Sequence, residues 1–123
     1  MRKYRIMVID DEPMNLRLIE AWLKPLGYEV FTAGDGLRGL DVILANKPHL
    51  ILLDVMMPGM NGYSTLSKLK ENEATSKTPV VMLTAVDFEL NKELALQLGA
   101  CAYLTKPVEK ADLLKTITRF VHA

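Results

Sequence analysis

The chain has 123 residues, half of them hydrophobic, and its fifteen lysines and arginines balance fifteen aspartates and glutamates. That length supports one domain burying about two-thirds of its unfolded surface, and the apolar content excludes a disordered chain. Neutrality gives no general case for a nucleic-acid or membrane partner, no apolar stretch approaches the roughly 20 residues of a membrane span, and one cysteine cannot build a disulfide framework.

Met1-Arg2-Lys3-Tyr4 leads straight into a strand over residues 4–10, not into a signal-peptide core, so a cytoplasmic protein is expected. That strand ends in Asp10-Asp11. Residues 14–26 read as a helix with Leu16, Ile19, Leu23 and Leu26 on one stripe; Pro25 should distort its last turn and Gly27 should stop it. Residues 28–33 form a second strand closed by Gly34-Asp35-Gly36, and Leu37, Leu40, Ile43 and Leu44 mark a second helix. The third strand, 49–54, ends in Asp54, and a turn-rich loop follows at Pro58-Gly59-Met60-Asn61-Gly62. Tyr63, Leu66 and Leu69 give a third helix its apolar face, and residues 72–78 form a polar connection. The fourth strand, 80–84, ends in Thr84. Asp87 is a candidate cap for a helix carrying Leu90, Leu94 and Leu98, which Gly99 ends. Residues 101–104 form the fifth strand, with Cys101 expected as a buried, inert thiol, and Lys106-Pro107 follow shortly after. Leu113, Leu114, Ile117, Phe120 and Val121 mark the last helix, over about 109–121.

Strands alternating with helices across short connections predict an α/β fold, doubly wound, with a five-stranded parallel sheet covered on both faces. Ligands in such sheets sit beyond the carboxyl ends of the strands. Asp10-Asp11, Asp54, Thr84 and Lys106 all fall at that edge, whereas His49 begins its strand and belongs to the opposite one. Taken singly, each has an ordinary explanation: a helix cap with a solvated neighbour, a loop acid, a strand-end hydroxyl, a surface cation. Taken together, they suit a metal ion and a phosphoryl group. Three carboxylates and one ammonium leave two formal negative charges, which a divalent cation neutralises, and Mg²⁺ favours such oxygen ligands. No glycine-rich loop follows the first strand, which disfavours a nucleotide-binding fold.

With these residues placed, the chain resembles the receiver domain of two-component response regulators. The resemblance rests on Asp10-Asp11, on Asp54 within Leu53-Asp54-Val55-Met56-Met57-Pro58-Gly59-Met60-Asn61-Gly62, on Thr84-Ala85 and on Lys106-Pro107. It covers essentially the whole chain, read as one receiver domain over residues 1–123. It implies a flavodoxin-like three-layer sandwich with strand order 2-1-3-4-5, and a phosphorelay in which Asp54 accepts a phosphoryl group from a histidine kinase or histidine phosphotransfer protein. It further implies a Mg²⁺ site of Asp10, Asp11, Asp54 and the Met56 backbone carbonyl. Thr84 and Tyr103 match the family's switch hydroxyl and switch aromatic, Lys106 its phosphate-binding lysine, and the Lys106–Pro107 peptide its cis bond. Output to a downstream protein or effector domain is expected through the fourth helix, fifth strand and fifth helix, and a phosphorylation-dependent dimer through the last two helices is left open.

Such a domain would catalyse its own phosphorylation and dephosphorylation, as a signalling switch and not a turnover enzyme. In the family, the residues two beyond the phosphoacceptor and two beyond the switch hydroxyl flank the attacking water. Here these are Met56 and Val86, which cannot orient water by side-chain hydrogen bonds, so a long-lived aspartyl phosphate is expected. An aspartyl-nucleophile phosphatase is disfavoured, because such enzymes place a second acid where Met56 stands. The alternative is a receiver-like interaction module that is never phosphorylated. Nothing after His122 could bind DNA or perform catalysis, so a single-domain receiver and a piece of a longer protein are both expected readings.

Overall fold

The computed structural model describes residues 3–55, 61–85 and 92–122. In chain order the elements are β1 (Arg5–Ile9), α1 (Pro13–Leu23), a 3-10 turn (Lys24–Leu26), β2 (Glu29–Ala33), α2 (Gly36–Asn46), β3 (Leu50–Asp54), α3 (Gly62–Glu71), β4 (Val80–Ala85), α4 (Lys92–Gln97), β5 (Ala102–Lys106) and α5 (Lys110–Val121). The strands form one sheet in the order β2-β1-β3-β4-β5, every neighbouring pair parallel, as expected.

Side chains of successive strand residues point to opposite faces, so uninterrupted apolar runs feed two cores at once. On one face Met7, Ile9, Ile51, Leu53, Val80 and Met82 pack with Ile43 of α2, Leu66 and Leu69 of α3 and Ala95 of α4. On the other, Ile6, Val8, Leu50, Leu52, Val81 and Leu83 meet Ile19 and Leu23 of α1 and Leu113 and Ile117 of α5. All five β3 residues are buried, Asp54 among them, while the edge strands β2 and β5 stay half open.

Several expected boundaries shift for identifiable reasons. The first helix ends at Leu23 and not at residue 26, because Pro25 has no N–H to continue the ladder; the chain tightens into the 3-10 turn and leaves Leu26 exposed instead of on the stripe. Gly27 then takes φ +92°, a left-handed conformation that other residues adopt at a cost. The expected α2 stripe is wrong at two positions: Leu37 and Leu44 are 64% and 46% exposed. Ile43 faces the sheet as expected, with Leu40 packed against the core, and Gly36 and Gly39 take the remaining buried positions. A Cβ added at Gly39 would lie 2.5 Å from Ile9 Cδ1, so the helix approaches β1 closely enough that any larger residue would push on the Ile9 side chain. The fifth strand begins one residue later than expected and runs on to Lys106, because Thr84↔Thr105 and Ala85↔Lys106 keep pairing with β4. Its outward Tyr103 and Thr105 leave no long apolar run to mark the strand.

In α5, Leu113 and Ile117 are buried, with Leu114, Phe120 and Val121 partly so. Cys101 is half-buried, and burial pushes its thiol up, consistent with an unreactive group. Asp87 and Leu90, expected to cap and line the fourth helix, lie outside the described residues; Leu94 and Leu98 are partly buried. No described helix is long and apolar enough to cross a membrane.

Candidate functional site

Sheet register assembles the site. Ile9 pairs with Leu53, so Asp10 and Asp54, each one residue further along, stand side by side at the carboxyl edge of β1 and β3. Asp54 pairs with Leu83, which puts Thr84 next along β4, and Ala85 pairs with Lys106. Between β1 and β3 the chain order reverses, which is where such sheets open a crevice. Backbone bonds clamp the edge: Asp10 N–H donates to Ala33 O at 3.1 Å, Val55 N–H to Leu83 O at 2.9 Å, and Gly62 N–H to Val55 O at 2.7 Å.

Asp10 is wholly buried, Asp54 is 3% and Thr84 4% exposed, and Asp11 is exposed. One carboxylate oxygen from each of Asp10, Asp11 and Asp54 lies within 4.8 Å of the others, a spacing able to hold a metal ion. Lys106 Nζ reaches into this group, 2.9 Å from Asp10 Oδ2 and 3.0 Å from Asp54 Oδ2. Burial alone pulls the Lys106 ammonium down, and it is the largest single influence. The hydrogen bonds and charges of Asp10 and Asp54 together outweigh it and hold the group above the ordinary lysine range. The Lys106–Pro107 peptide is cis.

Two further residues belong to the cluster that inspection of strand ends does not find. Glu12 donates its backbone N–H to Asp10 Oδ1 at 2.9 Å, and its largely exposed carboxylate stands 3.9 Å from Lys106 Nζ, a fourth acid at the rim. Asn15 Nδ2 donates to Asp10 Oδ2 at 3.3 Å. Asn15 is the third residue of α1, a position whose side chain commonly reaches back over the helix start, and that is the signal that could have found it.

The Thr84 hydroxyl makes a long, 3.5 Å contact to the Ala85 carbonyl. Tyr103 is 41% exposed on β5, and a depression of about 290 Å³ beside it is lined by Leu96, Cys101 and Arg119, among others. His49 lies at the opposite edge, where its Nδ1 accepts the Arg5 N–H at 3.0 Å. Met56 and Val86, expected to supply a backbone ligand and to flank attacking water, lie outside the described residues.

The family model described as response regulator receiver domain matches residues 6–118. Response regulator PleD of Caulobacter vibrioides is 44% identical over 119 residues, which are 94% of this chain and 26% of PleD, so the chain spans about a quarter of that relative. Protein PilH of Pseudomonas aeruginosa is 38% identical over 92% of this chain and 93% of its own length. Among solved structures, the receiver domain of sensor histidine kinase PA1611 from Pseudomonas aeruginosa PAO1, with a magnesium ion coordinated in its active site cleft, superposes with TM-score 0.88 at 30% identity, covering 99% of this chain and 100% of that one.

Proposed function

The chain belongs to the response regulator receiver domain family, and from that premise we propose that residues 1–123 work as one phosphoacceptor domain in which Asp54 takes a phosphoryl group in a magnesium-dependent step. The observation that carries this reading is the placement of three carboxylates within 4.8 Å of one another, with an ammonium 3.0 Å from the third.

The donor set fits magnesium. Asp10, Asp11 and Asp54 offer hard oxygen ligands with two formal negative charges left after Lys106, and Asp11 is open to solvent for a hydrated ion to approach. Asp11 and Asp54 would hold the ion directly together with the Met56 carbonyl, and Asp10, whose oxygens already accept from Glu12, Asn15 and Lys106, would act through water. Bound magnesium supplies charge neutralisation at the phosphoryl oxygens.

The remaining chemistry belongs to the chain. An Asp54 oxygen forms a bond to phosphorus as the P–N bond of a donor phosphohistidine breaks, its electron pair returning to the imidazole nitrogen. Low exposure of Asp54 keeps water from competing. The transfer replaces one negative charge by about two, and Lys106 and the Thr84 hydroxyl answer the added charge. Thr84 turning inward vacates space beside Tyr103, whose apolar ring and polar tip suit either position. The α4–β5–α5 surface then differs between states, offering a downstream protein, an effector domain or a second copy a phosphorylation-dependent contact. Family membership implies a histidine kinase as partner, and exposed Met14 and Pro107 would help dock the phosphodonor, whether that kinase or a histidine phosphotransfer protein.

The test is uptake of label from acetyl phosphate, read by intact mass. Wild type with Mg²⁺ gains one phosphoryl group, and neither Asp54→Ala nor wild type in EDTA does. Absence of label on the wild type would leave the unphosphorylated interaction module as the better reading.

A further inference from the structure

We propose that Asn15 is a positioning residue that holds the Asp10 carboxylate when Lys106 leaves it, so that the lysine is free to turn to the phosphoryl group. The proposal rests on the phosphoacceptor reading above. Asp10 is fully buried, and its two oxygens are not equally served. Oδ1 takes the Glu12 N–H, whereas Oδ2 is shared between Lys106 Nζ at 2.9 Å and Asn15 Nδ2 at 3.3 Å. A charged donor at the shorter distance dominates that oxygen, and the amide bond is longer than a typical N–H···O contact. Asn15 is therefore under-used while Lys106 is in place.

Phosphoryl transfer changes that balance. Lys106 already stands 3.0 Å from Asp54, and about one added negative charge there draws it across. Asp10 Oδ2 would then lose its directly bound ammonium, a costly change at a buried charged oxygen unless, beside a water of the magnesium ion, another protein donor takes over. Among the described residues, the side chains that donate to Asp10 are those of Lys106 and Asn15. Asn15 sits in the first turn of α1, and Ile19 and Leu23 anchor that helix in the core, so its amide is held facing the freed oxygen. Closing the bond from 3.3 Å needs only a small side-chain rotation. An apolar residue at position 15 would leave Asp10 to retain Lys106, and the lysine would reach the phosphoryl oxygens less readily.

The experiment is a double-substitution cycle with two readouts. In metal-free protein, Lys106→Met removes the ammonium permanently and so reproduces its departure. Thermal unfolding should show that Lys106→Met lowers Tm by about 4 °C more in an Asn15→Leu background than with Asn15 present, with Asn15→Gln recovering part of the difference. Equal losses in both backgrounds overturn the proposal. Asn15→Ala gives the same comparison should leucine fail to fold. With saturating Mg²⁺, phosphorylation by acetyl phosphate should slow about tenfold in Asn15→Leu, with no further slowing when Asn15→Leu is added to Lys106→Met. A wild-type rate in both Asn15→Leu and Asn15→Ala overturns it too. A wild type that takes up no more label than Asp54→Ala sinks the phosphoacceptor reading itself, and the proposal with it, even where the stability coupling is found.

Discussion

Lys106 links two buried acids, Asp10 and Asp54, and the sign of its perturbation makes a test. Its ammonium is held above the ordinary lysine value of 10.5 in the folded protein. A group whose folded value is raised contributes stability that is complete below its unfolded value and is lost as pH rises through the folded one. Metal-free wild type should therefore lose stability above about pH 10.5 more steeply than Lys106→Met, measured by denaturant unfolding at stepped alkaline pH; parallel curves would remove the lysine from the balance. Met56 and Val86 carry the other residue-level expectation. Neither a thioether nor an isopropyl group directs water well, so Met56→Asn with Val86→Glu should speed loss of the phosphoryl group at least severalfold, followed by intact mass after acetyl phosphate is removed. An unchanged rate in the double variant would show that the lifetime is set elsewhere. Asp54 and Asp10 were legible as residues because each ends an apolar run, and Lys106 because it stands shortly after Ala102-Tyr103-Leu104 and before a proline. Glu12 and Asn15 were not, because their part depends on which way the first turn of α1 faces.

At the scale of elements, α2 is where periodicity misleads. Counting large apolar residues puts Leu37 and Leu44 inward, yet beside Ile43 the helix turns Gly36 and Gly39 to the sheet. Two effects oppose each other at Gly39. Alanine in a helix interior is better than glycine by about 1 kcal/mol. Against that, a Cβ there would meet Ile9 Cδ1 at 2.5 Å and Cγ1 at 2.9 Å in a fully buried side chain, and overpacking of this kind costs about 1–3 kcal/mol. The clash should win. Gly39→Ala is expected to lower stability by about 1 kcal/mol in urea unfolding, and adding Ile9→Val, which removes the Cδ1 carbon, should restore part of the loss. A stabilised Gly39→Ala would mean that the helix slides away freely. That the end of α1 is distorted and stopped was legible from Pro25 and Gly27, because both act through local backbone geometry, although the tightening into a 3-10 turn was not.

For the whole molecule, the crowding of Asp10, Asp11 and Asp54 couples folding to cation binding. An ion that binds only the folded chain stabilises it by about 2.7 kcal/mol at a hundredfold excess over its dissociation constant. Calorimetry should show Tm rising by several degrees on adding Mg²⁺ to EDTA-treated protein, with most of the rise absent in Asp11→Ala; equal shifts in both proteins would place the ion elsewhere. The alternation of strands and helices, the parallel sheet and the edge on which the polar residues gather were all determined by the sequence alone, because burial on two faces demands continuous apolar runs and short connections permit little else. Only the tertiary structure decided that Lys106 belongs to β5, that α2 lies flush against Ile9, and that Glu12 and Asn15 share the acidic cleft. Those outcomes depend on register between strands and on how closely a helix approaches the sheet. Both are set by contacts between residues far apart in the chain, and no local pattern of residues encodes them.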